Sequence, residues 1–95
     1  DGDGMNDYFI IDNINQFPNN NVKIYNRWGR QVYETHSYDS NGNVFNGTAQ
    51  GKAIVNQGEK LPTGTYYYVV EYLYDRNGEN QWVKKVGYLH LENND

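Results

Sequence analysis

The chain has 95 residues, eight basic against twelve acidic side chains for a formal net charge of −4, and no cysteine. That length supports one domain with a single core, burying roughly two thirds of the unfolded surface and leaving little surplus for a deep catalytic cleft. Without cysteine there are no disulfides, zinc thiolate sites or cysteine nucleophiles, and the scattered basic residues form no stripe able to displace phosphate counterions from nucleic acid.

No apolar run approaches the about 20 residues that cross a bilayer as a helix, and no basic-then-apolar signal peptide opens the chain. The first seven residues, Asp1-Gly2-Asp3-Gly4-Met5-Asn6-Asp7, read as a polar loop without an initiator methionine, as expected of a piece excised from a longer polypeptide. Tyr8-Phe9-Ile10-Ile11 follows as a short strand, and Asn13 to Asn21 is rich in turn residues. Val22-Lys23-Ile24-Tyr25-Asn26 alternates like a strand, Arg27-Trp28-Gly29-Arg30 forms a turn, and Gln31-Val32-Tyr33-Glu34-Thr35 returns as its hairpin partner.

From Tyr38 to Gly51 the polar residues Asp, Asn, Ser and Gly dominate, and Val44-Phe45 is the apolar pair that pins a long ordered loop. Ala53-Ile54-Val55 reads as a short strand ahead of the turn Leu61-Pro62-Thr63-Gly64. The long run that follows is the central strand. Its even positions 66 to 74 are Tyr, Tyr, Val, Tyr and Tyr, whereas the odd positions 65 to 75 are mixed. Tyr67, on the mixed face, is the ring expected outside. Asn77-Gly78 is a strong hairpin signal, after which Gln81 to Leu91 returns, with Gly87 marking a bulge or a close backbone approach. Ten tyrosines mean that the core is built from rings whose hydroxyls need partners. With no sustained helical period and turns at regular intervals, the chain reads as all-β, an Ig-like antiparallel β-sandwich of about six or seven strands.

Four landmarks in order, Gly2-Asp3-Gly4-Met5-Asn6-Asp7, Ile24-Tyr25-Asn26-Arg27-Trp28-Gly29, Leu61-Pro62-Thr63-Gly64-Thr65-Tyr66-Tyr67-Tyr68 and Lys85-Val86-Gly87-Tyr88-Leu89, span essentially the whole chain. In their order and spacing the chain resembles the type B C-terminal sorting domain of the Bacteroidetes type IX secretion system, also described as the gliding-motility-associated C-terminal domain. Members of that family usually carry Trp, then Asp or Asn, then Gly in the middle loop; Phe45-Asn46-Gly47 keeps a ring there.

The resemblance implies a single sorting-signal domain, residues 1–95, at the end of a large exported protein. Its task would be to direct the passenger through the periplasm and across the outer membrane to the cell surface or the medium. Its partners would be the type IX translocon and an associated outer-membrane barrel protein, with no insertion of its own into the membrane. Among the residues of this chain, those expected to meet a partner are Arg27, Trp28 and Arg30 in the turn, Tyr67, and Tyr88, His90 and Leu91 in the last strand with the tail Glu92 to Asp95. An edge strand there would accept a partner by strand addition. Trp28 also reads, more simply, as continuing the even-numbered face of Val22 and Ile24 into the core.

Other chemistry is weaker. Asp1, Asp3 and Asp7 place three carboxylates in a Gly-rich loop of the kind that holds Ca²⁺. Met5 stands where a ligand belongs, so an Asx-rich turn is the simpler reading and no cofactor is required. Asp39 to Asn43 reads as a solvated turn. The tyrosine stripe admits an alternative function, a carbohydrate-binding or adhesin-like module whose rings stack on sugars. Leu61-Pro62-Thr63-Gly64 lacks the extra residue, apolar span and basic tail of a Gram-positive cell-wall sorting motif. With His36 and His90 the only histidines and Ser37 and Ser40 the only serines, no catalytic triad assembles, and the chain reads as a non-enzyme.

Overall fold

In a computed structural model the structure describes Phe9, residues 11–39, 43–47 and 60–92. These residues are all-β apart from one 3-10 turn at Ile14–Gln16. A single antiparallel sheet holds β1 (Asn20–Tyr25), β2 (Gln31–His36), β3 (Gly64–Arg76) and β4 (Glu79–Leu91), in the order β2-β1-β3-β4. The tyrosine run is thus an interior strand, as its composition predicts.

Alternation decides which face is buried. Asn20, Val22 and Ile24 of β1 and Tyr66 and Val70 of β3 all point to one side, where they meet Tyr33, Leu89 and Leu91. Segments outside the sheet cover this side with Ile14, Tyr38 and Phe45. Phe17 lies over Tyr72 and Tyr74 at centroid distances of 4.5 and 6.0 Å, extending the cover along the hairpin. Phe45 is fully buried and meets Tyr33 edge-on at 4.8 Å.

Backbone groups of the covering segments find partners in the core tyrosines and asparagine. The Tyr38 hydroxyl donates to the Phe9 carbonyl at 2.6 Å and accepts from the Phe45 amide at 2.9 Å, tying two loops together. Buried Asn20 donates from Nδ2 to the Phe17 carbonyl and accepts the Tyr38 amide on Oδ1, 2.7 and 2.8 Å away. The Tyr66 hydroxyl donates to the Pro62 carbonyl at 2.6 Å, which anchors the Pro/Gly turn to the strand it launches. Only Tyr33, among the described residues, buries a hydroxyl with no hydrogen-bond partner. Burial pushes that hydroxyl up to about 12, the nearby Thr35 side chain offsetting part of the rise.

Several expectations change. Phe9 and Ile11 lie outside any strand, while Tyr8, Ile10 and the expected strand Ala53-Ile54-Val55 lie outside the described residues. The bulge predicted at Gly87 is absent, because β3 and β4 pair without interruption from Gly64↔Leu91 to Arg76↔Glu79. It occurs in β2 instead: Ile24 faces Tyr33 and Tyr25 faces Gln31, which leaves Val32 as the extra residue and lets Val32 and Tyr33 both be buried. Gly87 serves a close approach, but to a ring rather than to backbone. A Cβ built on it would lie 2.6 Å from Cζ and 2.9 Å from Cε2 of Tyr68. The hairpin turn is as predicted, with Asn77 and Gly78 at φ 53° and 83°, the left-handed pair that matches strand twist.

Candidate functional site

The pairing brings most of the expected partner-binding residues to one end of the sheet. Tyr25, where β1 ends, lies between Gln31 of β2 and Tyr67 of β3, and Tyr67 lies opposite Tyr88 of β4. The Arg27 to Arg30 turn continues from that row, and Thr65 opposite His90 forms a further rung at the same end. Residues far apart in the chain therefore share one margin of the fold.

Asn26 shapes the turn. Its Oδ1 accepts the amides of Trp28 and Arg30 at 3.0 and 2.9 Å, and its own amide donates to the Arg30 carbonyl at 2.9 Å. The turn thereby lifts Trp28 off the sheet. Trp28 is 77% exposed, which overturns its expected place in the core. The face alternation of β1 stops at Tyr25 and cannot be extended through a reversal. The Arg27 guanidinium sits 4.4 Å from the Trp28 ring centre, a cation–π contact that holds both side chains at the surface.

On the face opposite the core, Tyr67 and Tyr88 are 38% and 67% exposed with ring centres 5.0 Å apart. His90 is exposed beside them. Leu91 is not part of this surface. It is 2% exposed and packs in the core opposite Gly64, a correction to its expected contact role. Further along the same outer face lie Val86 opposite Val69 and Trp82 opposite Leu73; Trp82 is 57% exposed, and neither Val86 nor Trp82 is singled out by sequence pattern. Their exposure follows from register: the two-residue turn places the even positions of β4 on the face of Tyr67.

Catalytic groups do not converge among the described residues. His36 faces Asn21, which pairs with Glu71, whereas His90 faces Thr65, about 20 Å away along β3 at the usual rise per residue. Asp1, Asp3 and Asp7 lie outside the described residues, as do Ser40 to Gly42 of the second polar turn. What the surface offers is rings, two arginines and strand backbone, the materials of protein recognition.

A family model described as the CHU_C type IX secretion signal domain matches residues 1–91. The chain belongs to that family. Comparison with curated proteins and with solved structures gives no match. As a type IX secretion signal, the domain implies export that ends at the cell surface or in the medium, and dealings with the type IX machinery in general. A secretion signal domain is not an enzymatic family.

Proposed function

We propose that residues 1–95 act as one C-terminal sorting domain that takes a large passenger from the periplasm across the outer membrane by docking to the type IX translocon or an associated barrel protein. The observation that carries this reading is the family match combined with the gathering of Arg27, Trp28, Arg30, Tyr67, Tyr88 and His90 at one end of the sheet. An exposed Trp and Arg held against each other are typical anchors of protein interfaces. The Ig-like sandwich of six or seven strands belongs to the same proposal, and a sheet covered on one face by an aromatic core is consistent with one layer of it.

The test is a reporter fused ahead of residues 1–95 in a type IX-competent cell. The fusion is expected at the surface or in the medium while the unfused reporter stays inside. Equal retention of both sinks the reading. Arg27→Ala with Trp28→Ala, in a domain that melts like the wild type, is expected to reduce export.

A carbohydrate-binding or adhesin-like module is a second reading, favoured by the exposed Tyr67 and Tyr88 rings lying side by side. It predicts glycan-array binding that Tyr67→Ala abolishes; an array with no signal removes it.

A further inference from the structure

β4 is hydrogen-bonded to β3 on one side and to no described strand on the other. Its 13 residues present about 40 Å of edge, a length that soluble proteins normally protect with charge, proline or a bulge. Here the charges are Glu79 at the hairpin end and Lys84 and Lys85 in the middle. Lys84 and Lys85 are consecutive and exposed, so they project to opposite faces, and neither forms an ion pair with a described residue. Beyond them, Val86 to Leu91 contains no full charge, only His90.

That uncharged half carries a notch. Tyr68 lays its ring into the space left by Gly87, and a cleft of about 450 Å³ is lined by Thr65, Tyr68, Tyr88, Leu89 and His90. Tyr68 and Leu89 belong to the core face and Tyr88 and His90 to the outer face, so the cleft opens at the margin of the sheet. Strand backbone with no described strand beside it, a cleft for a side chain and two adjacent cations thus occur within one stretch of eight residues, Lys84 to Leu91.

Resting on the sorting-domain reading above, we infer that the β4 edge is the docking site for an extended acidic segment of a partner protein. The segment adds as a fifth strand, its carboxylates paired with Lys84 and Lys85 and an apolar side chain seated in the cleft beside Gly87. Charge complementarity selects the occupant. A domain of net charge −4 repels acidic chains in general, so a local pair of lysines fixes both where such a chain lands and in which register. A second copy of β4 is a poorer occupant, because it brings the same two lysines to the seam.

The test uses the isotopically labelled chain and two soluble ten-residue peptides, one with two consecutive Asp at its centre, flanked by Thr and Val and containing a single Leu, the other with Lys in place of Asp, so that the central pair faces Lys84 and Lys85 on both sides of the sheet. The acidic peptide is expected to shift and protect the amides of residues 83–91, and to lose affinity as salt is raised. Lys84→Glu with Lys85→Glu is expected to weaken it roughly tenfold or more and to favour the basic peptide. Lys84→Gln with Lys85→Gln provides the same loss without reversed charge, should the first variant fail to fold. Unperturbed β4 amides, or equal binding by a folded variant, overturns the inference. Export separates it from the broader reading: a folded charge-reversed variant exported at the wild-type rate rejects this edge while the sorting role stands. A wild-type fusion retained in the cell rejects the sorting role, and the peptide titration still decides the edge.

Discussion

Tyr66 and Val70 on one side of β3 are buried, while Tyr67 on the other is exposed next to Tyr88 and in line with Val86 and Trp82. The two faces use the same residue types, so composition does not distinguish the wall of a core from a surface available to a partner. What separates them is cover. Phe45, Tyr38 and Ile14 close one face, and the amides of Tyr38 and Phe45 are held by Asn20 and by the Tyr38 hydroxyl; no described residue does the same for the other. Tyrosine suits both places because its ring packs and its hydroxyl tolerates water.

Removing the cover is the strongest way to break this contrast. Phe45→Ala should destabilise by about 3–5 kcal/mol, because it empties a fully enclosed ring position and loosens Tyr33, whereas Trp82→Ala on the open face should cost less than about 1 kcal/mol. Urea denaturation of the two variants compares them directly. Similar losses would mean that the outer face is also packed.

The next effect probes the place where the two faces meet. Gly87→Ala should cost about 1–3 kcal/mol, since the new methyl group must displace the Tyr68 ring, and most of that penalty should vanish in a Tyr68→Ala background. Thermal melts of the four proteins in the cycle provide the measurement. Additive losses would show that the ring yields freely.

Much of this architecture was legible in the sequence. Leu61-Pro62-Thr63-Gly64 and Asn77-Gly78 bracket β3, and the alternation inside it identifies Tyr67 as the outward ring. The placement of Leu91 was legible too: a two-residue turn sets Arg76 opposite Glu79, and counting back along both strands brings Leu91 opposite Gly64, on the face of Tyr66. Trp28 was misplaced by carrying an alternation through a turn that Asn26 reverses. The 3-10 turn at Ile14–Gln16 is too short to have a period, and the bulge at Val32 has no glycine to announce it. The ring over Gly87 depends on a register thirteen residues long, which no local pattern reveals.

The smallest effect concerns the one buried hydroxyl that, among the described residues, has no hydrogen-bond partner. Tyr33→Phe should be neutral or slightly stabilising near pH 7, within about 1 kcal/mol, because it removes a polar atom whose desolvation the Thr35 side chain offsets only in part. Its signature is in alkali. The folded state holds this proton up to about 12, above the ordinary value of 10.0, so the wild type loses stability as pH rises through that window and is unaffected below it. Urea midpoints at pH 9 and pH 11 should fall less in Tyr33→Phe, and identical slopes would mean that the hydroxyl is solvated after all.

Among the described strands β4 is bonded on one side only, and this also sets how the domain yields under load. Tension applied at Leu91 and resisted at Gly64 acts across the open end of the β3–β4 ladder, so the rungs from Gly64↔Leu91 onward are stressed one after another rather than together. β1 differs, being held by β2 on one flank and β3 on the other, and pulling along it shears two ladders at once. The domain thus has a mechanical polarity: its last strand peels away under modest force while the β2-β1-β3 core keeps its pairing, and the peeling begins at the end of the sheet that holds Tyr67 and Tyr88.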